Sequence, residues 1–289
     1  MPYKSILIPL DGSDSCCVAL AYADNVARRM SAHLNILHVQ ADTKEAVPLL
    51  GEGMSGAMIE EMIDLADRDA AERALAAHSC YETFCQNNHV AVSQSPVGND
   101  SVTVAWRQEV GREDEMVANF GRVSDLIVIA QPLGEAERPS LMTLHAAIFE
   151  TGKPVLLVPP RLPDTVGQNV MISWNGTAEA ARAIEGALPL LRLAEKVVAV
   201  SVETEKARSH VTGTELAAHL SWHGIQAEVK GISPSTRTVG DVVMAECERE
   251  NADLLIMGAY THSRLIQIIL GGVTRQVIAE TKIPVLLAH

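Results

Sequence analysis

The sequence is written twice. Ile6-Leu7-Ile8-Pro9-Leu10-Asp11-Gly12-Ser13, near the start, returns as Val170-Met171-Ile172-Ser173-Trp174-Asn175-Gly176-Thr177. Each block is a short apolar run closed by an acid or amide, a glycine and a hydroxyl residue, with an alanine-rich stretch behind it. Physically that is a buried strand, a tight turn and the capped start of a helix. Two further blocks follow in the same order. Asp125-Leu126-Ile127-Val128-Ile129-Ala130 matches Asp253-Leu254-Leu255-Ile256-Met257-Gly258, and Glu150-Thr151-Gly152-Lys153-Pro154-Val155-Leu156-Leu157 matches Glu280-Thr281-Lys282-Ile283-Pro284-Val285-Leu286-Leu287. Three matched blocks in one order are a duplication, which limits the chain to two copies of one fold.

The copies differ in length. The offset is 164 residues at the first block (Asp11 to Asn175) but 128 at the second (Asp125 to Asp253), so the first copy carries extra chain in its middle. Residues 55–88 there predict a long helix with Met58, Met62, Leu65, Ala66, Ala70, Ala74, Leu75 and Ala77 on one apolar face. Pro159-Pro160-Arg161-Leu162-Pro163-Asp164 is a stiff linker, which sets domains at 1–160 and 161–289.

Apolar runs alternate with helical patterns inside each copy. The second copy predicts strands near 170–174, 197–202, 226–230, 253–257 and 284–288, and helices near 177–193, 212–223, 236–251 and 272–281. Unbroken runs such as Leu254-Leu255-Ile256-Met257 suit strands covered on both faces. The expected fold is therefore α/β, with two tandem open parallel five-stranded sheets, helices on both faces, and ligands beyond the carboxyl ends of the strands. The last strands, Val155–Val158 and Val285–Leu287, are apolar.

Composition narrows the partners. A net charge of −13 without a basic run argues against nucleic acid and anionic membrane surfaces. The amino terminus lacks a signal-peptide layout, and no apolar stretch reaches the ~18–20 residues of a membrane span. Five cysteines, an odd number without a CxxC pair, predict reduced buried thiols. A cytoplasmic protein is expected.

The stretch richest in chemistry runs from Gly258-Ala259-Tyr260-Thr261-His262-Ser263-Arg264 to Leu270-Gly271-Gly272-Val273-Thr274. A buried strand ends, a loop follows and a glycine pair opens the last helix. Glycines there let a ligand approach the backbone, and the free N–H groups of a helix start suit a phosphate.

These residues, with the opening Ile6–Ser13 and the ending Ile283–Leu287, resemble the universal stress protein family over essentially the whole chain, twice. Nucleotide-binding members have Gly, two residues, Gly, nine residues, Gly, then Ser or Thr. Gly258 and Gly271 match the first and third glycines, Thr261 replaces the second, and Gly272 replaces the hydroxyl residue. The resemblance implies adenine and ribose at Ser173, Trp174, Asn175 and Val202. It implies phosphates along Met257, Gly258, Thr261, Gly271, Gly272, Val273 and Thr274. It also implies intramolecular pairing through those apolar last strands across a pseudo-two-fold axis, mimicking the family's dimer, with higher homo-oligomers left open.

The first copy has lost the motif. Ala130-Gln131-Pro132-Leu133 stands at the loop start, and Leu141-Met142-Thr143-Leu144 stands where Gly271-Gly272-Val273-Thr274 does, so no triphosphate is expected there. Smaller features carry less. His219 and His223 share a helical face without an evident third ligand, so no metal is expected. Asp11-Gly12-Ser13-Asp14-Ser15 resembles an ATP-pyrophosphatase phosphate loop but lacks its glycine pair, and helix capping accounts for it better. Trp174 either stacks on adenine or packs.

Two readings of function stand. One is a stress-response regulatory module that binds ATP, ADP or AMP in its carboxyl-terminal half. The other is a tandem interaction protein of the same family that binds no nucleotide. With no poised nucleophile or base, catalysis is expected to reach at most slow ATP hydrolysis.

Overall fold

The computed structural model describes residues 1–42, 55–95, 101–132, 140–162, 164–202, 211–234, 236–259 and 272–289. The first copy runs β1 (Ser5–Pro9), α1 (Ser15–Met30), β2 (His33–Gln40), α2 (Gly56–Asn88), β3 (Ala91–Val92), β4 (Thr103–Val110), α3 (Glu113–Gly121), β5 (Leu126–Ala130), α4 (Leu141–Glu150) and β6 (Val155–Val158). The second runs β7 (Asn169–Ser173), α5 (Ala178–Leu191), β8 (Lys196–Val202), α6 (Gly213–Trp222), β9 (Glu228–Ile232), α7 (Val239–Arg249), β10 (Leu254–Gly258), α8 (Gly272–Glu280) and β11 (Val285–Ala288). The expected strands and helices of the second copy are all present, with ends shifted by up to three residues.

Local chemistry explains where helices start. Thr177 caps α5 by accepting from the Ala180 N–H, and Thr212 and Thr238 open α6 and α7 with capping boxes closed by Glu215 and Asp241. At the other end of α1, Ser31 takes the left-handed conformation (φ 51°) that stops a helix.

The two expected parallel sheets are joined edge to edge. Their strands form one eleven-stranded sheet in the order β3-β4-β2-β1-β5-β6-β11-β10-β7-β8-β9, and the first copy adds the two-residue β3 to its five strands. Every pairing is parallel except β6 with β11, where the copies meet. At that joint Leu156 faces Leu286, Leu157 faces Val285 and Val155 faces Leu287. Since Val155 to Leu157 and Val285 to Leu287 are the same positions of the repeat, the register is self-reciprocal, as a two-fold axis through the Leu156–Leu286 pair requires. All six side chains are fully buried.

Helices cover both faces, and the coverage repeats. One apolar layer joins α1, α2, α5 and α6 to the sheet, and the other joins α3, α4, α7 and α8. Polar contacts also cross between copies: the Tyr3 hydroxyl donates to the Gly186 carbonyl at 2.5 Å, and the Gln131 amide donates to the Ile278 carbonyl at 2.8 Å. Burial drives the Tyr3 phenol far above its ordinary pKa, so it remains a donor.

Helix α2 departs from expectation. Ala70, Ala77, Tyr81 and Phe84 are its buried residues, whereas Met58, Met62, Leu65 and Leu75 are exposed. Periodicity fixes which residues share a face but not what lies opposite them. The thiols also differ from expectation: Cys16 and Cys247 are buried, Cys80 and Cys85 half-buried, and Cys17 exposed, all of them free. No described helix is long and apolar enough to cross a membrane.

Candidate functional site

The carboxyl ends of β7, β8 and β10 and the starts of α5 and α8 bring together most of the expected site in the second copy. β7 ends at the half-buried Ser173, and Trp174, Asn175 and Gly176 then turn the chain into α5. Gly176 takes φ 72°, where a side chain would be strained. The exposed Asn175 holds the turn: its Oδ1 accepts from the Thr177 N–H at 3.2 Å and from the Thr177 hydroxyl at 2.9 Å. This employs its carbonyl and leaves the amide N–H groups for solvent or ligand. Val202, half-buried, ends β8, while Met257 and Gly258, both buried, end β10.

Trp174 packs. Its side chain is buried in the apolar layer, and its indole N–H donates to the Val211 carbonyl at 3.1 Å. Gly258 also has a packing reason. A Cβ on it would collide with the Ala180 backbone nitrogen and stand 2.7 Å from the Glu179 carbonyl carbon, so β10 meets the first turn of α5 backbone to backbone. The first copy places Ala130 here, where α1 starts one repeat position later than α5.

Gly272 is different. It is the exposed first residue of α8, and no described atom lies within 4 Å of a Cβ placed on it. Val273 is half-buried and Thr274 buried behind it. Thr261 and Gly271, with His262, Ser263 and Arg264, lie outside the described residues.

The matching place in the first copy is built closed. Asp11 repeats the Asn175 turn, accepting from the Ser13 N–H at 2.9 Å and the Ser13 hydroxyl at 2.6 Å. Yet Asp11 is only 6% exposed, and its Oδ2 has no hydrogen-bond partner among the described residues. The cover is α2. A Cβ on Gly12 (φ 83°) would stand 2.5 Å from the Arg73 carbonyl oxygen, so the inserted helix lies directly on the turn that follows β1. Burial and then the Asp11 charge push the Cys16 thiol up to about 12, and that thiol points at the Asp11 carboxylate at 3.4 Å. At the helix start, the Ser140 hydroxyl already accepts from the Met142 N–H at 3.1 Å, and Met142 stands where Gly272 stands in the second copy.

The sequence did not reveal this cover. Its signal was the extra length between matched blocks, which located an insertion without saying where it folds. His219 and His223 stack edge to face at 4.9 Å, and no group of three metal-ligating side chains occurs among the described residues.

The family model of the universal stress protein family matches residues 2–131 and again 168–289. Universal stress protein Slr1230 of Synechocystis sp. (strain ATCC 27184 / PCC 6803 / Kazusa) is 24% identical over 298 residues, spanning 98% of this chain and 99% of that protein. A universal stress protein from Archaeoglobus fulgidus DSM 4304 superposes with a TM-score of 0.64 at 16% identity, covering 98% of this chain and 97% of that one. A protein of Pseudomonas aeruginosa UCBPP-PA14 described with the same family name gives 0.59 at 14% identity, covering 99% and 93%. The chain belongs to the universal stress protein family, carrying its domain twice in tandem.

Proposed function

We propose that the protein is a stress-response regulatory module that binds one adenine nucleotide, ATP, ADP or AMP, in its carboxyl-terminal domain (161–289) and none in its amino-terminal domain (1–160). In this reading Ser173, Asn175 and Val202 border the adenine and ribose beside the packed Trp174. Met257 and Gly258 form the floor. The backbone N–H groups of Gly271, Gly272, Val273 and Thr274 hold the phosphates, with the α8 dipole behind them and Thr261 on the loop between.

One contrast carries the reading. Gly272 opens its helix with no described residue packed over it, whereas its counterpart Met142 has its N–H engaged by Ser140, and the strand-end turn of that copy lies beneath α2. Gly258 adds little support, because packing against α5 already requires a glycine there. That same fact favours the second reading, a tandem interaction protein without nucleotide. Calorimetric titration of the full chain with ATP, ADP and AMP decides between them. The proposal expects one site per chain for at least one of the three, and heat at the level of buffer dilution for all three refutes it.

A further inference from the structure

Helices α1 and α2 run side by side but do not close against each other along their whole length. A groove of about 450 Å³ lies between them, walled by Leu20, Ala21 and Asn25 on one side and Thr83, Phe84 and Asn87 on the other. One end holds the Asp24–Arg28 ion pair (2.7 Å), with Arg28 also donating to the Asn88 carbonyl at 3.1 Å. The other end holds two free thiols that line the same cavity, Cys17 in the first turn of α1 and Cys80 on α2.

The helix period places them there. Cys16 and Cys17 are neighbours in sequence and so point about 100° apart around α1: Cys16 goes into the core toward Asp11, and Cys17 faces α2 and solvent. Cys80 lines the same groove from α2, half-buried, so the two thiols stand on facing walls of one cleft; burial raises the Cys80 pKa. Cys85, further along α2, is half-buried and does not line the groove.

We propose that Cys17 and Cys80 form an oxidation site for hydroperoxides, at which the exposed thiol is oxidised and its neighbour on α2 closes it to an intramolecular disulfide. The Cys17 sulfur attacks the terminal peroxide oxygen, the O–O bond breaks, and the leaving oxygen departs as water or an alcohol with the thiol proton. Cys17 is then a sulfenic acid. The Cys80 sulfur attacks the Cys17 sulfur, the S–O bond breaks, and hydroxide leaves as water with the Cys80 proton. Two thiols lose two electrons in all, and one hydroperoxide gains them. Closing the pair to an S–S bond of about 2.05 Å asks α1 and α2 to draw together across the groove.

The position gives the bond an effect. Cys80 lies seven residues, about 10 Å along the helix, from Arg73, whose backbone covers the Gly12 turn. A disulfide there fastens the inserted helix to α1 beside the closed strand end of the first domain. It also ties off the chain between residues 17 and 80 in the unfolded state, which raises stability.

The test uses the full reduced chain treated with a few equivalents of hydrogen peroxide, alkylated without reduction, digested and mapped by mass spectrometry. A Cys17–Cys80 linked peptide is expected as the main product, with an intact mass lower by two hydrogen atoms and a Tm at least about 4 °C above the reduced protein. Cys80→Ser is expected to leave a Cys17 sulfenic acid that dimedone traps, and Cys17→Ser to leave Cys80 unmodified at the same dose. The exposure of Cys17 makes its serine variant a mild change to the fold, and circular dichroism checks both variants. Linkage of Cys17 to Cys16 or to a second chain overturns the proposal. So does conversion to sulfinic acid without any cross-link, or oxidation of Cys80 in Cys17→Ser at the wild-type rate.

Discussion

Gly272→Asp separates binding from folding at the proposed phosphate site. The residue is exposed, opens α8 and has nothing described within 4 Å of a Cβ, so the aspartate side chain meets no described residue. An acid in the first turn of a helix stabilises it by about 0.3–1 kcal/mol, and replacing glycine in a helix adds a few tenths more. The same carboxylate stands where a phosphate would approach. Two unit charges about 4 Å apart repel by about 1 kcal/mol in water and about 4 kcal/mol near a protein surface, and a di- or triphosphate brings more than one charge. Taking about 2 kcal/mol as a conservative net cost, the Kd should rise at least about thirty-fold. The Tm should stay level or rise by about 1–3 °C. Calorimetry measures the first and differential scanning fluorimetry the second. A Kd within two-fold of wild type in a folded variant refutes the phosphate assignment. A Tm lower by several degrees refutes the account of Gly272 as an unobstructed helix start.

Three further outcomes follow from the packing and the charges. Gly258→Ala, which drives a methyl group into the α5 backbone, should cost about 1–3 kcal/mol in urea denaturation; no loss would show that β10 and α5 are less tightly apposed. Leu286→Ala at the two-fold joint should cost about 2–5 kcal/mol and split thermal unfolding into two transitions, whereas a single unshifted transition would mean that the Leu156–Leu286 pair adds neither stability nor coupling. Glu250 is held at a pKa of about 2, below its ordinary 4.5, by hydrogen-bonded Lys230 (2.6 Å) and Lys196 (2.9 Å). A depressed folded-state pKa means its stabilising contribution is complete above about 4.5 and is lost as pH falls toward about 2. Glu250→Gln should flatten stability over that window, and a carboxyl titration by NMR near 4.5 in the folded protein would contradict the assignment.

The duplication and the strand runs were legible because they rest on local chemistry. Leu254 to Met257 had to be buried on both faces, and Thr177 had to cap a helix. The joint was half legible: Val155–Val158 and Val285–Leu287 announced a buried last strand, but antiparallel pairing between copies is a long-range fact that no local pattern carries. Helix α2 was misread in part because the pattern grouped Met58, Met62, Leu65 and Leu75, which are exposed, with Ala70 and Ala77, which are buried. Trp174 could not be assigned from sequence, since its donor's partner, the Val211 carbonyl, lies 37 residues away. Gly258 looked like a ligand glycine and also serves backbone packing, because one missing side chain satisfies both demands. The facing of Cys17 and Cys80 depended on how α1 and α2 dock, which spacing alone does not fix.

Photolabelling distinguishes a strand-end site that accepts a nucleotide from a twin sealed by α2. The full chain is irradiated with an azido-adenine nucleotide, with and without excess ATP, and the labelled peptides are sequenced. ATP-protected label is expected only in peptides containing Ser173 to Asn175, Val202 or Met257 to Thr274. Protected label on peptides containing Asp11, Gly12 or Arg73 would contradict it.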